Sequence, residues 1–119
     1  EFRAASYQRY QGQKLSNRFN AFTYWHLSRM MDSHHVGRKR KSAEEALEKI
    51  KAKTLVIGID TDILFPVNEQ EFLARHIPEA RLTVIKSTYG HDGFLVECDQ
   101  INAAIKHFYN EKLSSVLYE

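Results

Sequence analysis

The stretch Thr54-Leu-Val-Ile-Gly-Ile-Asp-Thr-Asp-Ile-Leu-Phe-Pro66 constrains the fold more than any other part of the chain. Thr54 to Ile59 is a short apolar run rich in β-branched side chains, preceded by Lys53 and followed by a polar turn. An apolar run of this length predicts a strand buried on both faces, as in a parallel sheet. Its carboxyl end reads Asp60-Thr61-Asp62. Open α/β sheets carry their chemistry at the carboxyl ends of strands. Aspartates at such an end also make ordinary turns, because the side chain bonds its own backbone. Taken alone, Asp-Thr-Asp reads first as a turn.

A second stretch shifts that balance. Arg81 to Lys86 predicts another strand, and Tyr89-Gly90-His91-Asp92-Gly93-Phe94 follows it. His91 lies 29 residues after Asp62, room for one helix and one strand, so the chain returns to the same edge of the sheet. Imidazole is the side chain suited to general-base work near neutral pH, and an Asp at a neighbouring strand end can fix its tautomer and stabilise the imidazolium. Gly90 and Gly93 suit a tight loop that brings the ring into a site. The order Asp then His is that of the α/β-hydrolase triad, in which the nucleophile comes first. No such nucleophile is legible. The pattern Gly-x-Ser-x-Gly is absent, and none of the eight serines sits at a Gly-flanked strand-to-helix turn. Cys98 is near a helix start but follows the His, the wrong order for this architecture, and it reads as a partly buried structural thiol.

The remaining segments supply helices. Aromatic and apolar positions Phe2, Tyr7, Tyr10, Leu15 and Phe19 recur at helical steps. Asn20 is a good N-cap, so the helix is expected to break there and restart at Ala21, ending at Asp32-Ser33. The density of Phe19, Phe22, Tyr24 and Trp25 reads either as a face packed on a core or as a cap over a pocket or a subunit contact. Arg38-Lys-Arg-Lys41 reads as a solvated basic loop, with an anion contact as the alternative. His34-His35 is not a metal site, since adjacent side chains point apart and no further ligand stands at suitable spacing. Ser42-Ala-Glu-Glu45 is a capping box that opens a helix to about Ile50 with Ala46, Leu47 and Ile50 inward. Asn68-Glu-Gln-Glu71 is a second possible box, opening a helix with Phe72, Leu73 and Ile77 inward and stopped by Pro78. A last helix is expected from about Phe94, with Ile101, Ala104, Ile105, Phe108 and Leu113 on its inner face.

The order after residue 42 is helix-strand-helix-strand-helix, an α/β arrangement with a parallel pair. Such sheets normally have more than two strands. The chain also starts at Glu1 rather than Met. Together these lead to the expectation of a C-terminal part of a larger α/β protein. A net charge of +2 makes no case for nucleic acid or membrane binding, and no apolar run reaches the length of a membrane span. One cysteine excludes an internal disulfide and fits a reducing, cytoplasmic compartment.

At this level of detail the residues carry a family resemblance. Leu55 to Pro66 and Tyr89 to Leu95 resemble the C-terminal part of homoserine O-acetyltransferases, as do Tyr10-Gln-Gly-Gln-Lys14, Arg18-Phe19, Arg29-Met-Met-Asp-Ser-His34 and Val36-Gly-Arg38. The resemblance covers nearly the whole chain. It implies an α/β-hydrolase fold, with residues 1–41 as a helical lid segment and 42–119 as the C-terminal part of the core. It further implies acetyl transfer from acetyl-CoA to the hydroxyl of L-homoserine through an acyl-serine, in methionine biosynthesis, without a bound cofactor or metal. Asp62 and His91 would be the second and third triad members, Asp92 would bind the amino group of homoserine, and Asp60 would have no catalytic part. Pairing into a homodimer through the lid helices is implied as well. The chain departs from the family at His35, usually Asp, and at Lys39 and Lys41, where a smaller, Gly-rich segment is usual. Succinyl transfer to homoserine, acetyl transfer to serine, a plain hydrolase of the same fold and a non-catalytic dimerisation module remain as alternatives.

Overall fold

Two strands, β1 (Thr54–Ile59) and β2 (Ala80–Ile85), pair in parallel, with Thr54 opposite Ala80 and Ile59 opposite Ile85. Their carboxyl ends are therefore level, and the two loops that follow leave the sheet side by side. The structure, a computed structural model, describes residues 2–116, with side chains through residue 110. The order is α1 (Arg3–Arg18), α2 (Ala21–Asp32), α3 (Ala43–Glu48), β1, α4 (Val67–His76), β2, a 3-10 turn at Gly90–Asp92, α5 (Gly93–Val96) and α6 (Cys98–Val116). The backbone forms two compact units, one ending at His35 and one beginning at Val36.

In the first unit the interruption between the helices has a local cause. Phe19 is extended, its N–H still reaching the Leu15 carbonyl, and the Asn20 carboxamide oxygen accepts the Thr23 N–H at 2.8 Å. That bond satisfies one of the orphan donors at the start of α2. Neither helix has a buried residue, and Phe22 and Trp25 are 78% and 55% exposed. The aromatic face is open.

The second unit begins with a turn around the basic run. Gly37 is buried, and a Cβ there would come within 2.7 Å of the Ala43 nitrogen, so only glycine fits. The Arg40 N–H closes the turn on the Gly37 carbonyl at 2.8 Å, and Arg40 to Lys41 lead directly into α3. Ser42 Oγ accepts the Glu45 N–H at 3.1 Å. The other half of the expected capping box differs: the Glu45 carboxylate takes the N–H of Lys41 at 2.8 Å, one residue earlier than the box pattern, and also the Lys49 ammonium at 2.9 Å. Lys49 and then Lys41 hold the Glu45 carboxyl below its ordinary range.

The sheet is covered on both faces. Gly58 leaves room for α4: a Cβ there would lie 3.2 Å from Gln70 Cγ. Ile59, one residue on and so on the opposite face, meets the start of α5 at Gly93. Val56, Gly58, Ile59 and Ile85 are buried, with Ala46, Leu47 and Ile77 completing the apolar core. Burial of β1 on both faces is only partial, because Leu55 and Ile57 are half-buried, and Val84 on β2 is exposed. A two-stranded sheet offers each strand a single neighbour.

Several boundaries differ from the sequence expectation. β2 runs one residue earlier than Arg81 to Lys86. The helix expected to start at an Asn68 cap starts at Val67 behind Pro66, which places Asn68 inside its first turn. Proline at the entry removes a donor that would otherwise be unpaired. α4 ends at His76, because Ile77 precedes Pro78 and is extended. The last helical stretch divides at Glu97, leaving α5 one turn long. Ile105 is exposed, and the inner-face position expected for Leu113 lies outside the described side chains. Cys98 is exposed, not partly buried. No described helix is long and apolar enough to cross a membrane.

Candidate active site

The two level strand ends bring Asp62 and His91 together. His91 Nδ1 is 2.8 Å from Asp62 Oδ2, across 29 residues of sequence. The Asp62 side chain is 5% exposed and that of His91 35%, so the pair is dry at the carboxylate and open at the imidazole. The other carboxylate oxygen, Oδ1, accepts the N–H groups of Leu64 at 2.8 Å and Phe65 at 3.0 Å. One oxygen thus closes the turn and the other holds the imidazole. Burial acts to raise the Asp62 pKa. It is outweighed by the hydrogen bonds from Phe65 N–H, His91 and Leu64 N–H and by the imidazolium charge, which leave the carboxyl below its ordinary value of 3.8. A carboxylate can only accept, so Nδ1 carries the proton of this bond, and in the neutral form of the ring Nε2 has the lone pair.

The loops themselves are fastened by the residues before Asp62. Asp60 Oδ1 accepts the Ser87 N–H at 3.0 Å, and the Asp60 N–H reaches the Ile85 carbonyl at 3.1 Å. Thr61 Oγ1 donates to the Ser87 carbonyl at 2.7 Å and accepts the Gly90 N–H at 3.1 Å. Ser87 is buried, and its Oγ accepts the Tyr89 N–H at 3.1 Å. Gly90 sits at φ 57°, the left-handed region that favours glycine. A Cβ on Gly93 would lie 2.9 Å from the Ser87 side chain and 3.3 Å from Ile59 Cδ1, so the loop can close onto the sheet only without one.

Two rings flank the imidazole. Phe65 and Phe94 have centroids 5.1 and 5.2 Å from that of His91, both tilted to it. Phe94 and Leu95 are 50% and 64% exposed, and Phe94 meets the His91 ring at the loop's turn into α5. The position of Phe94, three residues after His91 on a helical turn, was the available signal. Asp92 is exposed at the start of α5 and makes no side-chain cap bond there. Among the described residues no group of three His, Cys, Asp or Glu side chains could hold a metal ion.

Comparison with known proteins gives a consistent picture. No family model matches the chain. It is 50% identical over 111 residues to a curated homoserine O-acetyltransferase of Cyclobacterium marinum, covering 93% of this chain and 32% of that protein. The homoserine O-acetyltransferase of Salinibacter ruber is 43% identical over 93% of the chain and 32% of its own length, and that of Saccharomyces cerevisiae is 47% identical over 90% of the chain and 22% of its own. The chain therefore spans about a third or less of the curated relatives it matches. Across nine-tenths of its length, the chain is similar to the C-terminal portion of homoserine O-acetyltransferases.

Proposed function

We propose that this chain is the part of a homoserine O-acetyltransferase that supplies the Asp and His of a Ser-His-Asp triad, on an α/β-hydrolase core with residues 1–41 as its lid. The observation that carries the reading is the 2.8 Å bond between His91 Nδ1 and the buried Asp62 carboxylate at two adjacent strand ends. The curated relatives are named for acetyl transfer to homoserine, which favours that reaction over succinyl transfer, serine acetylation, hydrolysis or a purely structural module.

The chemistry follows from the tautomer. With Nδ1–H donated to Asp62, Nε2 takes the proton of the nucleophilic serine as its oxygen attacks the thioester carbonyl of acetyl-CoA. The C–S bond breaks, the CoA sulfur leaves with that proton, and the acetyl group stays on the serine oxygen. Homoserine then enters, and Nε2 removes its hydroxyl proton as the oxygen attacks the acyl-serine. The serine oxygen recovers the proton and O-acetylhomoserine departs. At each stage the imidazolium is transient and Asp62 stabilises it. Asp92, with no cap bond of its own, binds the ammonium of homoserine beside the reacting oxygen, a charge-assisted contact of about 1.5–3 kcal/mol. The exposed lone cysteine fits a reducing, cytoplasmic setting.

A graft tests this reading. Residues 1–119 replace the matching C-terminal third of the Cyclobacterium marinum protein, and acetyl transfer from acetyl-CoA to homoserine is followed through free thiol. The expected result is turnover at both steps, with Asp92→Asn slowing transfer to homoserine by about tenfold per 1.4 kcal/mol lost while acyl-serine formation is kept. A folded graft that forms no acyl-serine contradicts the proposal.

A further inference from the structure

Three consecutive side chains after β1 engage the His91 loop at successive points. Asp60 accepts the Ser87 N–H, Thr61 donates to the Ser87 carbonyl and accepts the Gly90 N–H, and Asp62 accepts from the His91 ring. The middle residue spans the loop. Its single hydroxyl donates at one end of the Ser87–Gly90 segment and accepts at the other, using both of its hydrogen-bonding capacities. The acceptor bond falls on the residue immediately before His91, where the chain passes through φ 57°. That N–H has no strand or helix to bond in, so the Thr61 oxygen is what fixes the turn from which the imidazole departs.

We propose that Thr61 is a positioning residue for the base: its hydroxyl clamps the Ser87–Gly90 turn so that the His91 ring is held on Asp62 in the reactive orientation. This rests on the reading of His91 as the base. The clamp is a different element from the pair it serves. Asp62 bonds the imidazole directly, whereas the Thr61 hydroxyl bonds only the backbone of the loop. Without it, the loop keeps the Asp60–Ser87 and Ser87–Tyr89 bonds, but the Asp62–His91 bond loses the backbone constraint that holds its geometry. The ring would then sample orientations in which Nε2 misses the reacting hydroxyl. A displacement on the order of 1 Å in a positioned group can cost about a hundredfold in rate.

Two substitutions separate this role from plain loop stability. Thr61→Val keeps the shape and removes both bonds, and Thr61→Ser keeps the hydroxyl. In the acetyltransferase graft, T61V is expected to lower kcat about tenfold or more with KM for both substrates within about twofold, and T61S to return kcat to within about threefold of the parent. In the 119-residue chain, the His91 Nδ1 proton, read by NMR on histidine-labelled protein, is expected to be protected from exchange in the parent and in T61S and to broaden in T61V. A folded T61V with unchanged kcat and an unchanged Nδ1 proton overturns the proposal. So does a kcat loss that T61S fails to recover, because the hydroxyl is then irrelevant. If the graft with intact Thr61 shows no acetyl transfer, the assignment of His91 as base fails, and the Nδ1 proton alone decides whether Thr61 clamps the loop.

Discussion

Asp62 is the residue in which turn chemistry and site chemistry meet. Its two oxygens divide the work, one holding the Leu64 and Phe65 amides and one holding His91. The sequence made Asp62 and His91 legible through order and spacing, because strand ends and a Gly-flanked loop leave few other places for them. It did not make Asp60, Thr61 or Ser87 legible, since bonds across two loops depend on register rather than on local pattern. The depressed pKa of Asp62 has a consequence for acid stability. The stabilisation from a carboxyl with a lowered folded-state pKa is present above the ordinary value and is lost as pH falls through the lowered one. A carbon-detected NMR titration of the Asp62 carboxyl should therefore give a midpoint below 3.8, with loss of the His91 contact over the same range. A midpoint above that value would contradict the hydrogen-bond geometry. Gly93 offers a second check. Gly93→Ala places a methyl 2.9 Å from the Ser87 side chain, and overpacking of this kind costs about 1–3 kcal/mol, measurable by urea denaturation.

At the scale of elements, caps and breaks explain where sequence reading succeeded. Asn20 and Ser42 cap α2 and α3 as their side chains dictate, each oxygen on the amide three residues ahead. Ser42→Ala should lower stability by about 1 kcal/mol in a denaturant titration, and Ser42→Asp should leave it nearly unchanged. The helix expected over α4 is present, and only its cap differs, for a physical reason. Asn68 has the composition of a cap, but the Asp62 turn delivers the chain to Pro66 in extended geometry, and the helix starts at Val67 before Asn68 is reached. The exposure of Phe94, Leu95 and Cys98 was not legible either. An apolar residue on a helix tells which face is available for burial, while the covering surface has to be known separately.

For the whole molecule, the sheet and the open aromatic face of α2 set the terms. Because the elbow serine motif is absent from the sequence, residues 1–119 alone should show no free-thiol release from acetyl-CoA above background with homoserine present. Turnover would turn attention to Cys98 or to one of the eight serines. Phe22 and Trp25 leave large apolar areas in water, and self-association through them should appear as a mass that rises with concentration in light scattering. A strict monomer at every concentration, in the graft as well as in the chain, would exclude that contact. The central claim is that His91, held by Asp62, is the base of an acyl transfer. Its most direct measurement is kcat of the graft carrying His91→Ala, Asp62→Asn and both together. Loss of about a thousandfold or more in each single variant, with little further loss in the double, is the predicted result, since members of one triad act as a unit. A His91→Ala graft that folds and retains kcat within about tenfold of the parent would contradict it.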